Sequence, residues 1–314
     1  MNTKIIEWAE KYLASNSYII NTSENVQTMP WSMVHRFSTS RGYIYLKQTP
    51  PELSLEADVT QILNNKFNAN VPVIIATNKD LRCFLMLDAG HRLRNILKDC
   101  FNQSLLCQAL DKYSYIQKVS IPEINLFLDI GLPDWRLDKL PVLYNDLVSK
   151  AQLLKSDGLT DLELKQLCNL HNKFETTCDL LNYYKIPATL DHCDFHDGNV
   201  LVDDANITII DWGETVITHP FFSLISFLNN IAHGYNLKDK DDKYIQLENA
   251  CFANWANHHK LDEIINIAKK LQPIYRALSY YRLKISSDTE QFATWHEGYG
   301  CIARPLREFI ANNT

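Results

Sequence analysis

Residues 199–212, NVLVDDANITIIDW, read as two short strands around the turn-like cluster Asp203-Asp204-Ala205-Asn206. They follow directly on the run HCDFHDGN, which places His, Asp, His, Asp and Asn within eight residues. That order constrains the fold more than anything else in the chain. A carboxylate and an amide five residues apart on a tight loop, Asp194 and Asn199, can point into one cleft. A hairpin that begins straight after Asn199 can return a second carboxylate, Asp211, to the same end.

The flanking regions divide into two kinds. The first 88 residues of 314 read as a small α+β lobe. An amphipathic helix carries Ile5, Ile6, Ala9, Tyr12 and Leu13 on one side. A hairpin follows, with its turn at Ser38–Gly42. Its second strand alternates Tyr43, Tyr45 and Lys47 against Ile44 and Leu46. ELSLEADVTQILNNKF is helical by period, and VPVIIAT and CFLMLDAG have strand length. From His91 onward the period is helical apart from the central hairpin, with Thr160-x-x-Glu163 as a capping box and breaks near Gly234–Asp242, at Pro273 and around Ser286–Asp288. At 46% apolar and 22% charged residues the class is ordinary globular, and a net charge of −6 argues against nucleic acid as a partner. No run approaches the 18 apolar residues of a membrane span. The eight cysteines form no CxxC pairs. With no secretory leader at the first residues, reduced thiols in a cytoplasm are expected.

The polar loop has a mechanical meaning. Phosphoryl transfer needs a group that orients and deprotonates the attacking hydroxyl, and hard oxygen ligands for magnesium on the nucleotide phosphates. Asp194 suits the first role; Asn199 and Asp211, on adjacent strand ends, suit the second. His192 would brace the loop by hydrogen bonding. A rival reading takes His192-x3-His196 as a zinc pair, but Gly198 and the strand run favour a loop over the helix such a pair needs. Lys47 at a strand end could be a solvated gatekeeper. Glu56, on the following helix, instead suggests a pair that aims the ammonium at phosphate.

HCDFHDGNVLVDD and ITIIDWGE resemble the aminoglycoside phosphotransferase / choline kinase-like family, with its His-Gly-Asp-(apolar)-His-x-Gly-Asn and Ile-Asp-Trp/Phe-Gly/Glu segments. The likeness is strong over about 25 residues and weaker over the whole element order. It implies a bilobal protein-kinase-like α+β fold, with a small β-sheet N-lobe (1–88, ending in a hinge) and a larger, mainly helical C-lobe (89–314). By position, Asp194 resembles the catalytic base, Asn199 and Asp211 the magnesium ligands, and Lys47 the contact to the α- and β-phosphates. Glu56 would be its partner, Met86 to Asp88 the hinge facing the adenine, and Gly198 the residue that lets the loop turn close to Asn199. The implied cofactors are ATP (or GTP) and Mg2+. Three departures stand out. Cys193 replaces the common glycine before the base, and Ser223 stands where an aspartate is usual. FSTSRG offers Ser38, Thr39 and Ser40 in place of a glycine-rich phosphate loop.

The implied reaction is transfer of a γ-phosphoryl group to a hydroxyl of a small metabolite or aminoglycoside-like acceptor. The glycine-poor loop motivates an alternative, a non-catalytic nucleotide-binding or scaffold protein on the same fold. Candidate acceptor contacts are Asp134 and Trp135 in LPDWRLDKLP, Tyr280 and Tyr281 on a helix, and Trp295 with Glu297 in WHEGYG. Aromatics and carboxylates together could hold a cationic amine.

Overall fold

The computed structural model of the chain describes residues 3–204, 206–287, 292, 294–295 and 298–313. The amino-terminal part begins with helix α1 (Thr3–Ser15) and strands β1 (Ile20–Met29), β2 (Ser32–Thr39) and β3 (Gly42–Gln48). Helix α2 (Glu56–Phe67) and strands β4 (Ile74–Asn78) and β5 (Cys83–Leu87) complete it. The five strands form one antiparallel sheet in the order β1-β2-β3-β5-β4. Alternation sorts its faces. Phe37, Ile44, Leu46, Cys83 and Leu85 pack under Ile5, Ala9 and Leu13 of α1 and form a separate small core. Lys47, adjacent to Leu46, therefore points to the other face, towards α2.

Sequence periodicity finds four of these strands and misses β1. INTSENVQTM has almost no apolar content, and its side chains are mostly exposed. It is held as an edge strand by backbone pairing with β2 rather than by burial. The miss matters, because β1 adds a second hairpin turn at Pro30-Trp31.

The remainder is mostly helical. Strand β6 (His91–Arg92) leads to α3 (Leu93–Asp99), α4 (Gln103–Ser120), α5 (Ile124–Asp129), α6 (Leu140–Ser149), α7 (Ala151–Ser156), α8 (Asp161–Asn169) and α9 (His171–Tyr183). Then come β7 (Thr189–Asp191), β8 (Val200–Asp203), β9 (Asn206–Ile209) and β10 (Val216–Thr218). The chain closes with α10 (Phe221–Gly234), α11 (Asp242–Phe252), α12 (Leu261–Ser286) and α13 (Ala303–Ala311). The capping box at Thr160 forms at the head of α8, with Thr160 N–H donating to Glu163 at 2.7 Å and Glu163 N–H to the Thr160 hydroxyl at 3.2 Å. Pro273 does not break α12, contrary to the local expectation. The missing N–H costs one helical bond, and burial of Ile267, Ala268, Leu271, Ile274 and Leu278 around it carries the helix through.

Two small sheets position the polar loop. β7 pairs with β10, and β8 pairs with both β6 and β9. Gly90, at φ +104°, joins the large sheet to β6. A Cβ there would lie 2.3 Å from the Val202 carbonyl oxygen, so only glycine allows this crossing so close to β8.

Candidate active site

Asp194, Asn199 and Asp211 line one cavity of about 630 Å3 between the sheet and the helices. Their convergence has a local cause. Asn199 closes a short 3-10 turn (Asp197–Asn199) and its carbonyl accepts from Ile210 N–H at 3.0 Å, so loop and strand tip are stitched together just before Asp211. The buried His192 ring, against Trp212 at 4.6 Å, donates from Nε2 to the Ile210 carbonyl at 2.8 Å. Burial lowers the His192 pKa and keeps the ring neutral, as a donor to a carbonyl can be. Asp211 itself sits at φ +71°, ψ +55°, a left-handed conformation that turns its carboxylate out of the strand.

The Asn199 amide nitrogen donates to both the backbone oxygen and Oδ2 of Asp194, each at 3.0 Å. That fixes Asp194 and leaves the Asn199 carbonyl oxygen as the free end. Lys47 Nζ lies 2.8 Å from Glu56 Oε1 and 2.5 Å from Asp211 Oδ1. Burial works against the charge on Lys47, but Asp211 and Glu56 outweigh it and hold the ammonium protonated. Burial pushes Glu56 up to about 7 against the pull of Lys47. Burial also opposes ionisation of Asp211, yet Lys47 lowers its pKa on balance.

Other groups complete the loop. His196 accepts at Nδ1 from Gly198 N–H at 2.9 Å, which leaves Nε2–H facing Asp194 Oδ2 at 3.3 Å. Gly198 is required by this contact, since a Cβ would lie 2.7 Å from the His196 ring. Arg94 pairs with Asp197 at 2.8 Å, and Tyr235 donates to the same carboxylate at 2.6 Å. Beneath the loop the fully buried Asp191 accepts from the hydroxyls of Ser223 and Tyr275, both at 2.6 Å. Ser223, at a position where an aspartate is usual, thus supplies a donor to a carboxylate already in place.

Several sequence expectations fall elsewhere. Ser38, Thr39 and Ser40 are at the wrong end of β2. Thr39 Oγ1 donates to the Gly42 carbonyl at 2.7 Å within the β2–β3 turn, and Ser40 Oγ accepts from Ile19 N–H at 3.2 Å, tying that turn to the residue before β1. Seven residues of strand separate Thr39 from Ser32, roughly 24 Å at strand rise. It is the β1–β2 turn, through Met29, Trp31 and Ser32, that lines the cavity. Met86 and Asp88 lie where the sheet passes to β6 but do not line this cavity; the Asp88 carboxylate accepts from Gly90 N–H at 3.3 Å. Asp134 is engaged by Arg136 at 2.9 and 2.6 Å, and Trp135 is buried against Tyr275, so this loop supports β10 from behind. Tyr280 and Trp295 line the cavity; Tyr281, about 100° further round α12, does not. Glu297 lies outside the described residues. Sequence reasoning missed Trp31, Arg94, Glu214 and, apart from Tyr280, the polar residues of α10 and α12 that form the cavity's far wall.

A small antiparallel sheet on a helical body, with this loop between them, defines a kinase-like phosphotransferase fold. Similar solved structures bear this out. The Plasmodium vivax ethanolamine kinase Pv091845 superposes with a TM-score of 0.60 at 14% identity, over 100% of this chain and 89% of that one. Choline kinase LicA from Streptococcus pneumoniae gives 0.62 at 11% identity, over 98% of each chain. A GDP complex of an aminoglycoside 2'-phosphotransferase mutant gives 0.64 at 15%, over 98% of each chain. A search of curated protein sequences gives no match. Residues 32–238 match the phosphotransferase enzyme family (APH), and the chain belongs to that family. By its family it is a phosphotransferase.

Proposed function

We propose that the chain transfers the γ-phosphoryl group of ATP or GTP to a hydroxyl of a small-molecule acceptor, in a magnesium-dependent reaction. The observation that supports this best is the meeting of Asp194, Asn199 and Asp211 around one cavity, with Lys47 buried behind Asp211 and paired to it. The donor set fits the metal. With its nitrogen committed to Asp194, Asn199 presents a carbonyl oxygen, and Asp211 adds a carboxylate; such hard oxygens suit magnesium. Asn199 and Asp211 would hold the ion, which would supply positive charge to offset that of the nucleotide phosphates.

The chain's own residues do the rest. Asp194, with a side chain 44% exposed, is reachable from the cavity and orients the acceptor hydroxyl. As the bond from the acceptor oxygen to the γ-phosphorus forms, the bond from that phosphorus to the β–γ bridging oxygen breaks. The nucleoside diphosphate leaves, and the hydroxyl proton passes to Asp194. Asn199 and His196 hold this carboxylate in place. Lys47, aimed by Glu56, contacts the α- and β-phosphates. The β1–β2 turn, with Trp31 at its tip, covers the phosphates without a glycine. In this reading residues 1–88 are the nucleotide-binding lobe, with Met86–Asp88 as hinge, and 89–314 the catalytic and acceptor lobe. A cytoplasmic location fits the eight free cysteines. Among the described residues no helix is long and apolar enough to cross a membrane.

The test compares two variants. Asp194→Ala should lower turnover about 10²–10⁴-fold with nucleotide affinity nearly unchanged, whereas Asp211→Ala should abolish magnesium-dependent nucleotide binding, both read by calorimetry and a coupled diphosphate assay. Equal loss of nucleotide binding in the two would contradict the roles. Nucleotide binding with no transfer to any acceptor would favour a non-catalytic protein.

A further inference from the structure

The far wall of the cavity is built from two polar stripes. On α10 they are Ser226, Asn229, Asn230 and His233; on α12, Gln272, Arg276, Ser279 and Tyr280. The spacings i, i+3, i+4, i+7 and i, i+4, i+7, i+8 put each set on one face of its helix. A merely solvated face would be expected to carry lysines and glutamates. α10, FFSLISFLNNIAHG, has no Asp, Glu, Lys or Arg at all, and the rest of its surface is buried through Phe221, Phe222, Leu224, Phe227 and Leu228. The amides sit where the helix meets the cavity.

Their chemistry is selective. Gln272 is 3% exposed, yet only one end of its amide is engaged, by Ser226 Oγ at 3.0 Å; the other takes no hydrogen bond among the described residues. Amides donate and accept, as hydroxyl groups do. Neither stripe holds a carboxylate, and α12's acidic residues, Asp262 and Glu263, are in its first turn, far from the cavity face. Arg276 stays on the wall with one nitrogen paired to Glu308 at 2.9 Å. Of the three carboxylates that line the cavity, Asp194 and Asp211 belong to the reaction. The third, Glu214, accepts from Ser279 at 2.9 Å, and burial with Asp194 beside it pushes its pKa up to about 8. An acceptor with several ammonium groups would find one carboxylate outside the reaction, Glu214, and would meet the guanidinium groups of Arg92, Arg94 and Arg276. The aromatic rings of Trp31 and Trp295 pack edge to face at 4.8 Å, a surface suited to C–H faces.

We infer that the acceptor is an uncharged polyhydroxylated compound, a sugar or polyol, held by its hydroxyls between the polar stripes of α10 and α12. One hydroxyl takes the phosphoryl group and gives its proton to Asp194; the inference rests on the phosphotransfer proposed above and names its substrate class.

The test offers the full chain ATP and magnesium with three acceptor sets: neutral pentoses, hexoses and alditols; aminoglycosides; and choline with ethanolamine. Diphosphate release and product mass are read together. Product is expected from the neutral set alone, with Gln272→Leu and Asn229→Leu each raising KM for that acceptor about tenfold and changing kcat little. Asn229 is exposed, so its variant keeps the test decisive if Gln272→Leu does not fold. Product from aminoglycosides or amino alcohols and none from the neutral set overturns the inference and leaves phosphotransfer standing. Nucleotide binding without product from any set overturns both.

Discussion

The buried ion pair under the cavity makes a prediction whose sign is unusual. Lys47 and Glu56 have side chains only 6% and 5% exposed, whereas Asp211, the second partner of Lys47, is 46% exposed. Removing either member is therefore not equivalent. Lys47→Met strands Glu56 in a dry site with no counter-charge; loss of one member of a buried pair costs about 3–5 kcal/mol. Asp211 is released too, but water reaches it, so its share is small. Glu56→Gln leaves Lys47 with Asp211 at 2.5 Å and removes one charged hydrogen bond, a loss of about 2 kcal/mol. The double variant no longer holds a stranded carboxylate. It should be more stable than Lys47→Met alone by about 1–2 kcal/mol, so the second substitution restores stability. Urea unfolding at pH 8 without nucleotide, where Glu56 is ionised in the wild type, measures all four proteins. If the two losses simply add, or if Lys47→Met costs under 1 kcal/mol, the pair is solvated and the reasoning fails.

Two further outcomes follow from the same site and its support. Cys193 adopts φ +65°, in a region that costs a non-glycine residue about 1–2 kcal/mol. Cys193→Gly should therefore be more stable than Cys193→Ala by about 1 kcal/mol, the reverse of the usual order of these residues; equal unfolding midpoints would show that the loop relaxes. Burial drops the pKa of His219, 2% exposed, to about 3, with His258 adding to it. Because the folded value lies below the unfolded one of about 6.5, the stabilisation is complete above pH 6.5 and is lost as pH falls towards 3. Between pH 6.5 and 5 the loss should be about 2 kcal/mol and absent in His219→Gln; parallel losses in both proteins would assign the pH dependence to other groups.

How much of this was readable beforehand depends on the distance over which each feature is determined. The loop from His192 to Asn199 and the hairpin after it are local: glycine at 198, turn residues at 203–206 and β-branched strands all act within a few residues. Their convergence with Asp211 needed only the hairpin. Lys47 was legible for a similar reason, since alternation puts it opposite Ile44 and Leu46 whatever the partner strands are. β1 was not legible. A polar edge strand is specified by the backbone donors of β2, which leave no mark in its own side chains. That single omission shifted the turn over the cavity by the length of β2 and directed attention to Ser38–Ser40.

The cavity's far wall was hidden for a different reason. Aromatic and charged residues stand out in sequence as ligand contacts, and of Asp134, Trp135, Tyr280, Tyr281 and Trp295 only Tyr280 and Trp295 line the cavity. Yet Trp135 is needed to fill the space behind β10, and Asp134 is already satisfied by Arg136. The informative signal was weaker and periodic: neutral polar residues at i, i+3, i+4 and i+7 in a helix with no charged residue. A helix that buries one side and lets the other meet bulk water usually charges that side, because charge is cheap there. A helix that replaces charge with amides on the open side faces something other than bulk water. The same test separates α10 from α11, DKYIQLENACF, whose open face keeps Asp242, Lys243 and Glu248. On that criterion the uncharged wall belongs to α10, since α12 carries Arg276 on its cavity face; in the proposed reading Asn229 and Asn230 are the side chains that discriminate between acceptors.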